Sequence, residues 1–344
     1  MPIWLRWGRG DGKNLLFAKE RNAVTDAAAL RASLERRANL YTLIRRFFAD
    51  RGVLEVETPI LSEAGNTEPN IESFTTQFTG HRDAGAAERW LRTSPEFPLK
   101  RLLAAGVGDC YELGRVFRNG EAGRRHNPEF TMLEWYRVGW DHRRLADETA
   151  NLAAAAMASA GVSTTRVALT YRELFQQALG LDPLSADIAT LAAPLADQRI
   201  DAAGLDRDDW LDLLMTHRIQ PQFPRTQILV VRDYPASQCA LAKIRHDDPP
   251  VAERFELYLG PYELANGYHE LTDAAEQRAR FVRDNARRRA RGQREVALDE
   301  RLLAALDAGL PECAGVAMGV ERLLMCMADT DRIADVIAYP FDRA

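Results

Sequence analysis

Apolar residues recur at helical spacing in the first part of the chain, between positions 15 and 49. A repeat of this kind is typical of a helix with one buried face. The polar stretch Asp50-Arg51-Gly52 follows, and a glycine after the last periodic residue ends a helix. We therefore predict a helix over 15–49 and then a strand over 53–61 that ends near Pro59. The apolar residues that mark the helix are Leu30, Leu34, Leu40, Ile44 and Phe47.

The middle and the end of the chain carry strand patterns. Residues 110–119 and 129–137 are predicted as two strands, joined by a polar loop that contains glycine and arginine. Strand patterns return at 226–233 and 253–270, and a glycine-containing strand is predicted at 314–318. These strands occur as hairpins between helices, without regular alternation of strand and helix. Such an order indicates an α+β fold on an antiparallel sheet.

Residues 141–220 differ from their neighbours because alanine and leucine dominate there. We predict a helical insertion over this range, between two blocks that are rich in strands. Segment 62–90 is predicted to consist of turns. Helices of the insertion are expected around 142–160, 171–179, 187–198 and 208–216, and further helices at 99–105, 273–291 and 320–327.

Composition narrows the class of protein. The chain has 344 residues, 46% hydrophobic and 28% charged, which favours a packed globular protein of roughly two to three domains at most. A formal net charge of −5 argues against general binding to nucleic-acid backbones. Apolar runs long enough for a membrane span or a signal segment are missing from the sequence. We expect a cytoplasmic enzyme that contacts no membrane and has a loose N-terminal tail.

The cysteines and histidines do not indicate a metal site. Four cysteines form no Cys-x-x-Cys pair, and the six histidines lack zinc-ligand spacing. We expect the cysteines to be small core residues in a reducing compartment.

The most informative local sequence is RHNPEFTMLEWY, at 125–136. In a strand over 129–137, alternate side chains share a face, so an aromatic ring, an acid and a phenol lie on one surface. Arg118, on the preceding strand, has the geometry to bind a phosphate or carboxylate through two hydrogen bonds. A hairpin with surface charges and an aromatic core would give the same pattern. The residues of the shared face are Phe130, Met132, Glu134 and Tyr136.

The second informative segment is the hairpin at 253–273, with a predicted turn at Gly260-Pro261. In that register Tyr258 faces Glu263, and Glu256 lies diagonal to Glu263 on the same face, roughly 7–8 Å away. Two acids at this distance can hold Mg²⁺ beside nucleotide phosphates. Asn266, Tyr268 and Glu270 lie at even-numbered positions and Glu263 at an odd-numbered one, so in a regular strand they would face opposite sides. A bulge near Leu264–Ala265 is therefore needed if all four side chains point inward. An exposed, charged hairpin is the alternative.

The third segment is 315–322, sequence GVAMGVER, followed by an apolar helix. Its small residues allow a ligand to approach the backbone closely. Arg322, early in the helix, could reach a terminal phosphate. A strand packed on a helix would account for the same residues.

Together and in this order, these stretches resemble the class II aminoacyl-tRNA synthetases, and most closely the lysyl-tRNA synthetase branch. The first motif of that family corresponds to the helix at 40–50 with Val56-Glu57-Thr58-Pro59, which builds a dimer interface there, the second to 118–136 and the third to 315–322. The resemblance implies a class II catalytic core: an antiparallel sheet flanked by helices, with a helical insertion. We assign residues 36–344 to this catalytic domain and 1–35 to an N-terminal extension.

The resemblance also implies an ATP site. Arg118 would contact the α-phosphate and the substrate carboxylate, and Arg322 would hold the γ-phosphate. Phe130 would stack on adenine. The full set implied is Arg118, Asn119, Glu121, Arg125, His126, Phe130, Glu263 and Arg322 for ATP, and Glu256 and Glu263 for Mg²⁺.

A lysine site is implied in the same way. Glu96 would bind the amine near the carboxylate, while Glu134, Tyr136 and Glu270 would bind the ε-ammonium. A buried ammonium needs compensating acids, so Glu134 with Glu270 is predicted to detect a diamine. Adenylate formation then requires positioning and neutralised charge at phosphorus, without a covalent enzyme intermediate. The full substrate set is Ser94, Glu96, Arg118, Glu134, Tyr136, Asn266, Tyr268, Glu270 and Ala317.

Three departures from a lysyl-tRNA synthetase alter this assignment. The residues before the first motif appear helical, so we expect no anticodon-binding barrel and no tRNA partner. Ala317 stands where those synthetases usually have glycine, and one methyl group is worth roughly 1–3 kcal/mol in specificity. Gly120 replaces an acid that helps to read adenine, and Glu121 is the neighbour that could take its place.

The first two departures, with the runs RRFFADRGVLEVETPIL and DVIAYPFDRA, resemble the elongation factor P–(R)-β-lysine ligase family. That family implies ATP-dependent adenylation of β-lysine, transfer to a lysine of elongation factor P, and a homodimer. The alternatives are a free-standing lysyl-tRNA synthetase-like enzyme and an inactive lysine-binding paralogue. An arginine cluster could dock an acidic partner or an RNA-like shape, or it could form a solvated helix face. Its members are Arg278, Arg280, Arg283, Arg287, Arg288, Arg289, Arg291 and Arg294.

Overall fold

The computed structural model describes residues 27–344. Within this range the strands are β1 (Leu54–Glu55), β2 (Leu61–Ser62), β3 (Thr75–Gln77), β4 (Glu88–Leu91), β5 (Cys110–Phe117), β6 (Glu129–Val138), β7 (Thr165–Thr170), β8 (Gln227–Pro235), β9 (Ile244–Arg245), β10 (Val251–Leu259), β11 (Tyr262–His269) and β12 (Cys313–Gly319). The α-helices are α1 (Ala27–Ala49), α2 (Glu96–Ala104), α3 (His142–Ser159), α4 (Tyr171–Leu179), α5 (Ile188–Ala192), α6 (Arg207–Leu214), α7 (Ala274–Ala290), α8 (Glu300–Gly309) and α9 (Val320–Met327).

A large sheet organises the fold. Eight strands lie in the order β1-β5-β6-β12-β11-β10-β8-β7, and β9 pairs with β10. Neighbouring strands are antiparallel except at the two edges, where β1 pairs with β5 and β7 pairs with β8 in parallel. Strands β2, β4 and β3 form a second, small sheet. The predicted α+β fold on an antiparallel sheet is confirmed.

One face of the large sheet is buried under α1, α3 and α9. Phe48 of α1, Leu145 of α3 and Leu323 of α9 belong to one core cluster with Trp135 of β6. Burial of such side chains stabilises the fold by roughly 1.5–3 kcal/mol each. Because side chains alternate along a strand, the neighbours of Trp135 point to the opposite face of the sheet.

Two further groups of helices cover parts of that opposite face. Leu99 of α2, Phe281 of α7 and Leu302 of α8 pack together with Tyr136 of β6. Helices α4 to α6 pack against β8 through a separate apolar cluster, which contains Trp210. The space left between these two groups is the cavity described below.

Most predicted elements are present. Strands β5, β6, β8 and β12, and the β10–β11 hairpin, lie where the sequence predicted strands. Helices α3, α4, α6, α7 and α9 also match their predicted positions. The helix predicted over 15–49 is confirmed from position 27 onwards as α1, and its portion 15–26 lies outside the described residues.

Other expectations were wrong. The chain forms β1 and β2 instead of one strand over 53–61, and the stretch between them is held by a hydrogen bond from Arg92 Nη1 to Thr58 O at 3.1 Å. The helix predicted at 99–105 begins at Glu96, because Pro98 falls in the first turn, where its missing N–H is tolerated. Strands β3, β4, β7 and β9 and helix α8 were not predicted from the sequence.

The predicted insertion contains two kinds of structure. Helix α3 packs on one face of the large sheet and β7 extends its edge, whereas α4 to α6 pack against β8 on the opposite face. The boundary between an extension over 1–35 and a catalytic domain over 36–344 stays a prediction, and α1 runs through it as one helix. Among the described residues, no helix is long and apolar enough to cross a bilayer.

Candidate active site

A cavity of about 910 Å³ opens on the face of the large sheet opposite α3. Every residue predicted for ATP, substrate or metal binding lines this cavity except Asn119, which is exposed and lies outside the lining. Arg118 and Arg322 therefore share the cavity with Glu134 and Glu270. The sheet brings together segments that are far apart in sequence.

A β-bulge aligns the acids of the β10–β11 hairpin. Tyr258 pairs with Glu263, but Leu257 pairs with Ala265, so Leu264 is the extra residue. Because one extra residue reverses the alternation, Glu263 shares a face with Asn266. The bulge inferred from the parity of the acids is confirmed.

One end of the cavity is rich in arginine. Arg322 Nη2 lies 3.0 Å from His126 Nε2 and donates to it, and Arg322 Nη1 donates to Glu263 O at 2.7 Å. The guanidinium of Arg118 lies 5.2 Å from the centre of the Phe130 ring. Burial, together with the charges of Arg322, Arg118 and Arg125, lowers the pKa of His126 to about 4. At neutral pH this end offers several cations and a neutral imidazole, an environment suited to phosphates.

The loop that follows Arg118 explains one departure from the synthetases. Gly120 has a φ of +83°, in the left-handed region that favours glycine. An acid at this position would strain the backbone. Glu121 lies 3.8 Å from Arg118 through its Oε1 atom and lines the cavity, and its contact with adenine stays a prediction.

Glu256 and Glu263 form a second charged group. Arg254 and the Tyr258 hydroxyl each donate to one oxygen of Glu256. Burial and the charge of Glu256 raise the pKa of Glu263, which shows that the two carboxylates repel each other. Each carboxylate oxygen keeps a free lone pair, so this donor set fits Mg²⁺, and a divalent cation would relieve the repulsion.

Glu134 is a buried acid without a cation partner. Its oxygens accept hydrogen bonds from Ser94 Oγ at 2.7 Å and Tyr136 Oη at 2.8 Å, and no described residue forms an ion pair with it. Burial, and then the charges of Glu96 and Glu270, raise the pKa of Glu134. A buried carboxylate of this kind favours the binding of a cation beside it. Tyr136 is thus bonded to Glu134 in the structure.

Glu270, which was predicted to bind the ε-ammonium together with Glu134, already has a cation partner in the structure. Lys100 Nζ lies 2.6 Å from Glu270 Oε2 and 2.6 Å from Glu96 Oε1, and the residue is 1% exposed. Burial opposes the charge of Lys100, but Glu270 and Glu96 outweigh it and raise the pKa of the ammonium. The sequence analysis missed Lys100. The predicted helix began at position 99 and left out Glu96, so no local pattern pointed to Lys100.

Gly315 of β12 allows these groups to approach the sheet. A Cβ atom there would lie 2.2 Å from Tyr136 Cε1 and 2.5 Å from Glu270 Oε1. Neither distance is compatible with a side chain, so glycine is required. Ala317, two residues further on, pairs with Glu134 and extends its methyl group toward the cavity.

The arginine cluster is not one surface. Arg288 and Arg280 are 1% and 4% exposed, and both bond to backbone carbonyls, so they hold loops in place. Arg278 pairs with Glu300 at 2.5 Å. The reading of the whole cluster as a docking face or a solvated face was therefore wrong. The arginines of the cluster that line the cavity are Arg283, Arg287 and Arg291 at its mouth, together with the buried Arg280.

The fold and the cavity agree with comparisons to known proteins. The chain belongs to the class II tRNA synthetases of the D, K and N group, whose family model matches residues 16–343. It is 49% identical to the elongation factor P–(R)-β-lysine ligase of Vibrio cholerae serotype O1 over 316 residues, which are 91% of this chain and 96% of that protein. It is 48% identical to the ligases of the same name from Proteus mirabilis, over 316 residues, and Enterobacter sp. strain 638, over 315 residues. These two alignments also cover 91% of this chain and 96% of each relative.

Proposed function

We propose that this protein activates (R)-β-lysine with ATP and transfers it to the ε-amino group of a lysine of elongation factor P. The observation that carries the proposal is Glu134, a buried acid without a cation, in one cavity with Arg118, His126 and Arg322. An acid in this state favours an ammonium ligand, and the arginines favour phosphates. The names of the similar ligases supply the particular amino acid and the acceptor.

In the first step, the substrate carboxylate attacks the α-phosphorus of ATP and pyrophosphate leaves. Arg118 would neutralise charge on the α-phosphate and the attacking carboxylate, and Arg322 would hold the departing phosphates. Fixed cations that meet charge as it develops are the main source of catalysis for such transfers. Because His126 is neutral at physiological pH, it can accept from Arg322 and keep that guanidinium directed into the cavity.

In the second step, a neutral ε-amine of the acceptor attacks the acyl carbon of the adenylate, the bond from that carbon to the phosphate oxygen breaks and AMP leaves, and the amine releases one proton to solvent as the amide forms. The step needs no protein nucleophile, because the mixed anhydride is already activated. The phosphate-binding arginines would stabilise the AMP that departs.

We also propose a Mg²⁺ site at Glu256 and Glu263. The raised pKa of Glu263, caused by burial and by the charge of Glu256, supports this assignment. When bound, Mg²⁺ would neutralise charge on the nucleotide phosphates. Arg254 and Tyr258 would keep Glu256 oriented, since both already donate to it.

The remaining expectations concern partners and location. We propose that the protein acts in the cytoplasm as a homodimer and does not use tRNA. Exposed apolar side chains near the first motif support the dimer: Leu54 is 54% and Leu61 is 50% exposed. In a monomer such side chains would face water, and a partner surface would cover them.

Pyrophosphate exchange tests the proposal, with ATP and either α-lysine or each isomer of β-lysine as substrates. Transfer to tRNA and to elongation factor P is followed in parallel, with the Arg118→Ala variant as the control for the catalytic assignment. We expect exchange with (R)-β-lysine, transfer to elongation factor P only, and no exchange by the variant. Strong charging of tRNA would favour the lysyl-tRNA synthetase-like alternative, and an absence of exchange would favour the lysine-binding paralogue.

A further inference from the structure

The substrate end of the cavity contains its own ammonium group. Lys100 projects from α2, four residues after Glu96, and its Nζ atom bridges Glu96 and Glu270 at 2.6 Å from each. Both Lys100 and Glu270 are 1% exposed. The opposite oxygen of Glu270 lies against Gly315, whose backbone N–H also bonds to this carboxylate. The negative charge of Glu270 is therefore balanced by Lys100, and its carboxylate is held in place, before any substrate binds.

The charges at this end balance in a specific way. Three carboxylates, those of Glu96, Glu134 and Glu270, face the region where a substrate's amines would bind, and Lys100 supplies one positive charge. When all four are ionised, two negative charges remain. A diamino acid supplies two ammonium groups, and its carboxylate would face Arg118 instead. The two negative charges that remain in the pocket equal the two positive charges of the substrate's amines. Without Lys100, the three acids would carry one negative charge more than these amines can balance.

We propose that Lys100 is a positioning residue that sets the charge of the pocket to fit a diamino acid; this rests on the proposed function. Its ammonium balances the charge of Glu96 and Glu270 and holds both carboxylates in place, and it leaves Glu134 as the acid that receives the distal ammonium. A buried charge left unpaired is strongly unfavourable, so the count of charges determines which ligands enter. Ligands with one ammonium leave one acid uncompensated and bind weakly.

Other groups around Lys100 modify its effect but do not replace it. The titratable groups that face it or the acids it holds are Glu134 and Tyr136 of β6, Tyr268 of β11 and Cys313 of β12. Tyr136, Tyr268 and Cys313 have raised pKa values because they are buried, so they stay neutral near pH 7. Among the described residues, Lys100 is the cation that contacts Glu96 and Glu270.

The test compares Lys100→Met, Lys100→Arg, Glu270→Gln and the double variant Lys100→Met/Glu270→Gln. Binding of (R)-β-lysine, α-lysine, norleucine and 6-aminohexanoate is measured by calorimetry, and pyrophosphate exchange is measured separately across pH. We expect Lys100→Met to raise Kd and KM for the diamino acid at least roughly ten-fold, because uncompensated acids take up protons. The acidic limb of kcat/KM should move to higher pH.

The double variant separates charge balance from packing. It restores two net negative charges, so it should bind the diamino acid more tightly than either single variant. Lys100→Arg retains the charge and should keep the pH profile of the wild type. Arg137 is the matched control, because it also bridges two acids, Asp109 at 2.9 Å and Glu148 at 3.3 Å, but lies outside the cavity. Arg137→Met should lower thermal stability and leave Kd and the pH profile unchanged.

Several results would overturn the inference. One is a Lys100→Met variant with wild-type Kd and pH profile. A double variant that binds no better than the single ones is another, and so is a wild-type protein that binds norleucine or 6-aminohexanoate as tightly as lysine. If the wild type binds diamino acids selectively but never exchanges pyrophosphate, the proposed function fails while the role of Lys100 stands.

Discussion

The carboxylate of Glu134 lies between two hydroxyl groups, those of Ser94 and Tyr136, and both donate to it. Hydroxyl donors orient a carboxylate but do not neutralise it. The pKa of Glu134 is therefore raised, by burial and by the neighbouring acids. An arriving ammonium would restore the charged form, so binding energy and protonation are coupled at this residue.

Replacement of Glu134 should abolish recognition of the substrate's distal amine. We expect Glu134→Gln to reduce kcat/KM for (R)-β-lysine by roughly a hundred-fold or more, since loss of one partner of a buried ion pair costs about 3–5 kcal/mol. Exchange kinetics with each lysine isomer measure the effect. Glu129→Gln is the control, because Glu129 is exposed on the same strand and lies outside the cavity. Equal loss in both variants would contradict a specific role for Glu134.

His126 predicts a pH effect on stability. Its pKa in the folded protein is lowered to about 4, from an ordinary value near 6.5. Between these values the unfolded chain binds the extra proton, so the free energy of unfolding falls as pH decreases from 6.5 towards 4. Chemical denaturation at pH 7 and pH 5 should show a smaller loss in His126→Gln than in the wild type. An identical loss would mean that His126 is not held neutral by its arginine neighbours.

Residue identities were only partly predictable. Arg118, Glu134 and Arg322 lie in local sequence patterns that carry information by themselves. Lys100 does not, because its meaning depends on Glu270, which lies far away in sequence and reaches it only through the order of strands in the sheet.

At the scale of elements, alternation along strands is the main organising rule. The parity of Glu263 and Asn266 required a bulge, and Leu264 provides it. Burial could not be predicted in the same way for α7, where the arginine-rich sequence suggested a uniform charged helix. Arg280 and Arg288 instead donate to the carbonyls of Ala240 and Glu68, in loops that are distant in sequence.

Strand β12 yields a prediction about close packing. Gly315→Ala would place a methyl group 2.2 Å from the Tyr136 ring and 2.5 Å from Glu270, so both must move. We expect lower thermal stability by roughly 1–3 kcal/mol, as for other over-packed sites, and a higher KM for lysine. Gly319→Ala on the same strand meets no atom closer than 3.8 Å and should keep near-normal stability. Similar stabilities for the two variants would contradict the packing described here.

At the scale of the whole molecule, the cavity lies between two groups of helices on one face of a sheet. Its phosphate end and its amine end each combine residues from distant parts of the chain: Arg118 with Arg322 at the first, and Glu134 with Glu270 at the second. The antiparallel order of β5, β6, β12, β11 and β10 brings these parts together. The fold class was predictable because hairpins and helices leave characteristic patterns. The small edge strands were not, because two or three residues carry too little pattern.

The proposed dimer gives a prediction at this scale. Leu54→Glu with Leu61→Glu should shift the protein toward monomer in sedimentation equilibrium, because these exposed leucines would lie in the interface. Val282→Glu is the control, since Val282 is 55% exposed and belongs to α7, which is not part of the first motif. A wild-type protein that is monomeric at micromolar concentration, or a dimer unaffected by the double change, would contradict the proposal.

Mass spectrometry of intact elongation factor P tests the central claim most directly. The factor is incubated with this enzyme, ATP and Mg²⁺, and with one isomer of lysine at a time. The account predicts the addition of one β-lysyl group to a single lysine with (R)-β-lysine, far less with α-lysine, and none with the Glu134→Gln variant. An unmodified factor in every reaction, in the presence of measurable adenylate formation, would contradict it.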